Sequence, residues 1–475
     1  MRVVLIKAPY MDIWSSVREV ATEMFPLGLG YLASYLIRNG IEVMLLDPDI
    51  EDVDYDGIMQ KILNFKPDIV GISAMTSNFY AASRFAKDIK KMCKAVVLLG
   101  GAHASAVPVE IITFFDEFDA VVFGEGEETL LEICQKYKNG NVDFLKIRGV
   151  CYKKDGATVK NSPRPFIEEM DSIPYPARNL VDIRRYRSPN YLEFGKVNAT
   201  MITSRGCPNQ CTFCSAHLST GYKYRTHSLN YVLDEIELLI NRYKVEFIMF
   251  WDDTFTIKKE RVIKLCEGIL TRNLRFNWFC LARVNTIDEE VLSIMKRAGL
   301  KVVNCGVESG NQEILNNIRK GTSLEQIRRA YKMAKKTKLK TLASFMFGLP
   351  GETKETIQNT INFAIELDPD MAFFFILTPF PGSAIYNEYK DRLFKVSENW
   401  SDFKYVLTDG TIALDSKDFT KDELKGYLIE ANRRFFMRAK FLIKQFLKIR
   451  SFEELRANLT GAIALFKQML FIKNK

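Results

Sequence analysis

The 475-residue chain has only three histidines, nine cysteines and no run of 18 or more uncharged apolar residues. The last absence predicts that nothing in it spans a membrane. Met1 opens directly onto the apolar run RVVLIKAPY, without the charged segment, apolar stretch and small-residue cleavage site of a secretory leader. The cysteines show no regular pairing pattern. Together these features predict a cytoplasmic protein in a reducing compartment. The net charge of +9 is modest for the length and concentrated toward the C-terminus, so no nucleic-acid partner is expected. The apolar share of 47% and charged share of 26% are those of an ordinary globular chain long enough for two or three cores.

Against this scarcity, Cys207, Cys211 and Cys214 fall within one short stretch, SRGCPNQCTFCSAH (204–217). At this cysteine frequency a C-x3-C-x2-C pattern arises by chance about 0.004 times in such a chain. A single zinc ion asks for four ligands, commonly from paired C-x2-C knuckles. No second knuckle exists, and the zinc alternative would have to recruit His217. The remaining cysteines, Cys93, Cys134, Cys151, Cys266, Cys280 and Cys305, are scattered singly. Three thiolates hold three irons of a [4Fe–4S] cube and leave the fourth iron open to a chelating small molecule.

Upstream, apolar strand-like runs alternate with helical patterns: VVLIKAP (3–9), EVMLLDPD (42–49), IVGISAMTS (69–77), AVVLLGGAHAS (95–105) and AVVFGEGEE (120–128). This is the signature of a doubly wound parallel sheet covered on both faces. In such sheets ligands bind beyond the carboxyl ends of the strands. The small residues there are the candidates: Ser73, Met75 and Thr76 after the third run, Gly100, Gly101 and His103 after the fourth, Gly124 and Gly126 after the fifth. A flavodoxin-like domain whose glycines only make turns is the alternative reading. Residues 146–196 contain an Asp155-Gly156 hairpin signal and four prolines, Pro163, Pro165, Pro174 and Pro176, and read as a connector.

The order of these motifs resembles cobalamin-binding domains, which carry Ser-x-Leu after the third strand and Gly-Gly after the fourth. Ser73-Ala74-Met75 and Gly100-Gly101 look like these two. The loop after the first strand, APYMDIWSSVRE (8–19), lacks the histidine that ligates cobalt in many such domains. The second half of the chain resembles radical S-adenosylmethionine (SAM) enzymes. Their hallmark is C-x3-C-x-aromatic-C, with Phe213 as the aromatic here, placed after a strand-like run (197–207). Further strands are expected at 245–256, 276–285, 301–310, 342–353 and 378–386. The combined order resembles the cobalamin-binding subclass of radical SAM enzymes over about residues 1–440, similar to anaerobic magnesium-protoporphyrin ester cyclases, hopanoid-modifying enzymes and peptide or antibiotic C-methylases.

The resemblance implies an α/β chain in four parts: a cobalamin-binding-like Rossmann domain (1–145), a linker with a β-hairpin (146–196), a radical SAM (β/α)6 partial barrel (197–390) and a helical, basic C-terminal extension (391–475). It assigns Cys207, Cys211 and Cys214 to a [4Fe–4S] cluster and gives SAM the contacts Phe213, Asp252, Asp253, Arg283, Glu308, Gly348, Pro350 and Gly351. Asp253 has the alternative of capping a helix, and Glu308 with Arg283 that of a buried structural ion pair. The implied chemistry is reductive cleavage of SAM and modification of an unactivated carbon with cobalamin. C-methylation leads, with a radical cyclase or oxidative rearrangement, or a sensor without catalysis, as alternatives. A tRNA methylthiotransferase would need three further cluster cysteines at the N-terminal end, where only Cys93 and Cys134 occur. The implied partners are a small-molecule or lipid-like substrate and a low-potential donor such as flavodoxin or ferredoxin. In the tail, RRFFMRAKFLIKQFLKIR (433–450) has seven basic residues and no acidic one, and Lys440, Lys444 and Lys448 make one helical stripe. With the apolar segment 459–473, this predicts peripheral membrane contact, the alternative being a helix docked across the barrel.

Overall fold

A computed structural model describes residues 1–10, 23–138, 141–186, 192, 196–393, 400, 403 and 419–447. Most of the loop 8–19, Lys448 and the segment 459–473 lie outside the described residues. The five apolar runs of the N-terminal region form β1 (Arg2–Lys7), β2 (Glu42–Leu46), β3 (Ile69–Ser73), β4 (Val96–Gly100) and β5 (Ala120–Val122), all parallel, in the order β2-β1-β3-β4-β5. Their side chains alternate between two cores. Val4, Ile6, Val70, Ile72 and Val97 enter one, while Val3, Leu5, Ile69, Val96 and Leu98 enter the other. Burial of both faces is why the runs read as continuously apolar rather than alternating. The chain winds to opposite sides of β1, so the switch point between β1 and β3 opens a crevice at the carboxyl ends of the strands.

The Asp155-Gly156 turn, with both residues at positive φ (50° and 79°), joins β6 (Val150–Lys154) to β7 (Ala157–Lys160). β6 pairs antiparallel with β5, so the N-terminal sheet extends to Lys160, past the boundary drawn at 145. Described residues of the connector after β7 also bond to that sheet's helices and loops. Ala177 N donates to Gly30 O (2.9 Å), and Tyr186 Oη donates to Asp47 (3.1 Å).

The second unit is a six-stranded parallel sheet: β8 (Asn198–Met201), β9 (Phe247–Phe250), β10 (Asn277–Ala282), β11 (Leu300–Glu308), β12 (Lys340–Phe347) and β13 (Met371–Ile376), in chain order. Phe247, Met249, Phe279, Val302 and Leu342 fill its inner face, while their neighbours Ile248, Phe250 and Cys280 pack outward against the helices. Cys280 and Cys305 are buried core thiols. The sixth strand is Met371–Ile376 rather than 378–386. Pro379, Pro381 and Gly382 (φ 83°) keep the expected segment in a loop leading to the helix Ala384–Leu393.

The tail also differs from its expectation. Two helices, Lys421–Phe436 and Ala439–Phe446, meet at Met437-Arg438 in place of one continuous helix. Lys440 pairs with Asp368 (2.9 Å), Lys444 with Asp370 (3.0 Å) and Arg438 with Asp368 (3.1 Å). Lys440 and Lys444 of the basic stripe therefore face acidic residues of the loop before β13, and Met437, Leu442, Ile443 and Leu447 are the large apolar side chains left exposed. No helix among the described residues is long and apolar enough to cross a membrane.

Candidate active site

The cysteine loop hangs from a braced turn after β8. Asp252 accepts from the backbone N (3.2 Å) and hydroxyl (2.8 Å) of Thr203 and from the hydroxyl of Ser204. Ser204-Arg205 then pairs with Arg225-Thr226 as a short antiparallel ribbon. Gly206 has φ +89°, and a Cβ there would lie 2.2 Å from the Lys223 carbonyl oxygen, so only glycine makes this turn from ribbon to loop. Within the loop Cys207 N donates to Gly221 O (3.2 Å), Cys214 N to Cys211 O (3.1 Å) and Thr212 N to Ile318 O (3.1 Å).

All three thiols are partly buried. Burial pushes the Cys214 thiol up, and the nearby Cys211, Asp253 and Cys207 add to the effect. Asn209 Nδ2 donates to Cys207 Sγ (3.2 Å) and Arg283 Nη1 to Cys211 Sγ (3.6 Å). His217, the fourth ligand that zinc would require, stacks flat on Tyr222 (4.7 Å, 9°). Among the described residues no three His, Cys, Asp or Glu side chains group as a single ion would require. A cube does not require it, because each thiolate takes a different iron. Three partly buried thiols on one loop, facing N–H donors, fit the cube.

Around this loop the barrel ends supply charge. Glu308 sits at a register shift in β11 with φ +69°, and its Oε1 accepts from Lys320 Nζ at 2.6 Å, with both side chains under a tenth exposed. Lys320, absent from the sequence candidates, takes the place beside Glu308 that the ion-pair alternative gave to Arg283. Arg283 instead donates to the Lys320 carbonyl and to Cys211, spanning two loops. Lys320 Nζ also lies 5.9 Å from the Phe213 ring. Asp253 lines the central cleft and accepts from Thr220 Oγ1 (3.1 Å), with burial holding its carboxyl above the usual range. Asp252 is fully buried and anchors Thr203 and Ser204, so the structure gives it a bracing role in place of a SAM contact. Just beyond the end of β9, Trp251 and Asp253 reach the cleft and the residue between them does not. Gly348, Pro350 and Gly351 form a turn closed by Glu352, which accepts from Gly348 N (2.6 Å) and Leu349 N (2.9 Å). Burial pushes the Glu352 carboxyl up to about 8.

Across from the barrel mouth lies an open cleft of about 1140 Å³, solvent-connected space included. Ser73, Gly100, Gly101, Gly124 and Gly126 line its sheet side, and Ser204, Arg205, Thr220, Trp251 and Asp253 its barrel side. At Gly101 (φ +96°) an added Cβ would meet the Ala74 carbonyl oxygen at 2.6 Å. The turns after β3 and β4 thus meet backbone to backbone, leaving a glycine-lined cradle with apolar side chains beside it that suits a broad, flat ligand. Three corrin candidates are not in this lining. His103 is fully buried between Phe79 (4.8 Å) and Trp400 (4.3 Å), its Nδ1 bonded to Thr76 Oγ1 (3.1 Å), and burial holds it down to about 3. It is a core histidine, and buried Thr76 is its partner. Met75 is exposed, with its backbone N capped by Asn78 (2.7 Å). Glu125 and Glu127, which alternate with the two glycines after β5, line the cleft as well, and so do Tyr31 and Leu32, which carried no local signal that could have flagged them.

A flavodoxin-ordered sheet with a glycine cradle, facing a parallel half-barrel with a three-cysteine loop at its mouth, defines an enzyme that sets a corrin against an iron–sulfur cube. Comparisons with known proteins agree. The Radical SAM superfamily matches residues 201–364, and the B12 binding domain matches residues 14–134. The chain is 37% identical over 452 residues to the uncharacterized methyltransferase PH0819 of Pyrococcus horikoshii, covering 95% of this chain and 96% of that one. It is 32% identical over 473 residues to the anaerobic magnesium-protoporphyrin IX monomethyl ester cyclase of Rubrivivax gelatinosus, covering 98% and 82%. The solved structure of the cobalamin-dependent SAM radical enzyme OxsB, with aqua-cobalamin and SAM bound, shares the fold at a TM-score of 0.73 and 18% identity, covering 99% of this chain and 72% of that one. The chain belongs to the radical SAM family whose members carry an N-terminal B12-binding domain. It is an enzyme, and its two matched regions are the SAM-dependent radical domain and the B12-binding domain of that family.

Proposed function

We propose that the enzyme methylates an unactivated carbon of a small, apolar substrate. The observation that carries this reading is the single cleft: the glycine cradle and Asp253 of the cysteine-loop wall line the same space. When bound, the cluster supplies the electron that splits SAM, and cobalamin carries the methyl group. The chain's own residues do the rest. Cys207, Cys211 and Cys214 hold the cube. Arg283 and Asn209 lower the cost of its negative charge by donating to the sulfurs. Lys320, Glu308 and Asp253 offer one cation and two anions for the amino and carboxylate groups of SAM. Phe213 and the Gly348–Gly351 turn supply apolar surface beside the adenine. Ser73, Gly100, Gly101, Gly124 and Gly126 let the corrin lie against the backbone. The apolar and aromatic lining, with Leu5, Leu29, Tyr31 and Trp251, favours a substrate with little charge.

The 32% identity to an ester cyclase supports a second reading, oxidative cyclisation. Product analysis with methyl-labelled SAM separates the two: label in the product supports methylation, and an unlabelled cyclised product supports the other. The electron donor we propose is a flavodoxin or ferredoxin. We also propose peripheral membrane contact in the cytoplasm through Met437, Leu442, Ile443 and Leu447, which are at least half exposed. Sedimentation with liposomes, using the intact chain and a variant with these four residues changed to Ser, tests it. Equal partitioning of both ends it.

A further inference from the structure

Between the two cradle glycines Gly124 and Gly126 stands Glu125. Its carboxylate accepts from Arg205 Nη1 (3.0 Å), from Arg225 Nη2 (2.9 Å) and Nη1 (3.1 Å), and from the backbone N of Ile167 (2.7 Å). Glu127 takes the other Arg205 nitrogen (2.6 Å). The four charged side chains are all under a tenth exposed. Three separate parts of the chain meet on one carboxylate: the corrin-facing turn, the connector, and the ribbon that carries the cysteine loop. A buried charge network is a poor source of net stability, since apolar replacements are often neutral or better. Its bonds are directional, however, and forked guanidinium–carboxylate pairs fix orientation as well as distance.

The network leads straight to the cluster. Arg205 is joined through Gly206, which is locked in its turn, to Cys207. Arg225 Nη2 donates to Thr220 O (2.7 Å), Thr220 Oγ1 donates to Asp253 (3.1 Å), and Cys207 N donates to the next carbonyl, Gly221 O (3.2 Å). We propose that Glu125 is a positioning residue: it fixes the first cluster cysteine relative to the corrin-binding cradle, and so sets the separation of the two cofactors. The inference rests on the cofactor assignment above for the second of its two readouts.

Glu125→Gln keeps the size and one acceptor while removing the charge. In cofactor-free protein, amides of residues 204–226 should exchange about tenfold faster than in the unaltered chain, while β3 keeps its protection. In anaerobically loaded enzyme with unchanged iron and cobalt content, dipolar EPR between the reduced cluster and cob(II)alamin should give a distance distribution about twice as wide, reflecting loss of the directional bonds. A distribution as narrow as that of the unaltered enzyme overturns the proposal, even if exchange is faster. If β3 protection is also lost, Arg225→Lys takes the place of this variant, keeping the charge and losing the fork: broadening supports the proposal, and an unchanged width overturns it. If the unaltered chain itself binds neither cofactor, the cofactor assignment fails, and the exchange measurement alone decides whether Glu125 holds the ribbon.

Discussion

The sheet side of the cleft presents glycines, a serine and apolar side chains, and makes its surface from backbone. The barrel side presents Arg205 and Asp253 to the cleft, with Arg283, Glu308 and Lys320 grouped around the cysteine loop, and is built from charge held in place by hydrogen bonds and by other charge. The first wall suits a large neutral ring recognised by shape. The second suits a zwitterion and an anionic cluster that must be oriented group by group. The difference predicts how each wall fails: the cradle by adding an atom, the barrel mouth by removing a charge or a sulfur.

Cys211→Ala is the largest break. Iron content should fall and 5′-deoxyadenosine should drop to background, while cobalamin titration stays as in the unaltered chain, because Cys211 does not line the cradle. Gly101→Val is the converse. A β-branched side chain at φ +96°, aimed at the Ala74 carbonyl, should abolish cobalamin retention and leave iron content intact, with both metals quantified in one preparation. Lys320→Met leaves Glu308 buried without its cation and should cost about 3–5 kcal/mol in urea unfolding, most of it recovered when Glu308→Leu is added.

A smaller effect comes from His103. Its folded value of about 3 lies below the ordinary 6.5, so folding favours its neutral form. Its contribution is complete above pH 6.5 and is lost as pH falls from there toward 3, by at most about 1.4 kcal/mol per pH unit. His227, held down to about 4, acts in the same direction. Urea midpoints at pH 7 and pH 5 should therefore fall less in His103→Gln than in the unaltered chain; equal falls count against this account. Smallest is Lys440→Ala on the tail helix, which removes a largely exposed lysine from Asp368 while Arg438 stays paired with it, and should cost under about 1 kcal/mol by the same measurement.

The two walls also differed in how much of them could be read from the chain. The cysteine triplet and the glycine-ended apolar runs are local patterns, in which spacing alone carries the chemistry. The parallel order of the N-terminal sheet follows from the same periodicity and the half-barrel from the resemblance its motifs carry, although the sixth strand is the aromatic run Met371–Ile376 and not the proline-broken segment after it. What sequence could not supply is pairing at a distance. Glu308 finds Lys320 rather than Arg283, Glu125 finds two arginines 80 and 100 residues away, and Lys440 finds Asp368. His103 stands beside the Gly-Gly turn in sequence, but its short helix turns the ring into an aromatic cluster, which no linear pattern records. Asp252 and Asp253 are adjacent in sequence, just past the end of β9, yet one is bonded to Thr203 and Ser204 and the other to Thr220 in the cleft.

The central claim is that three thiolates hold a cube with one iron open to SAM, at the mouth of a cleft shared with a corrin. Mössbauer spectroscopy of anaerobically reconstituted, iron-57-labelled enzyme, before and after adding SAM, tests it most directly. The account predicts about four irons per chain, one of which changes its signal when SAM is added. Four irons that are indifferent to SAM, or a zinc ion in place of iron, would contradict it.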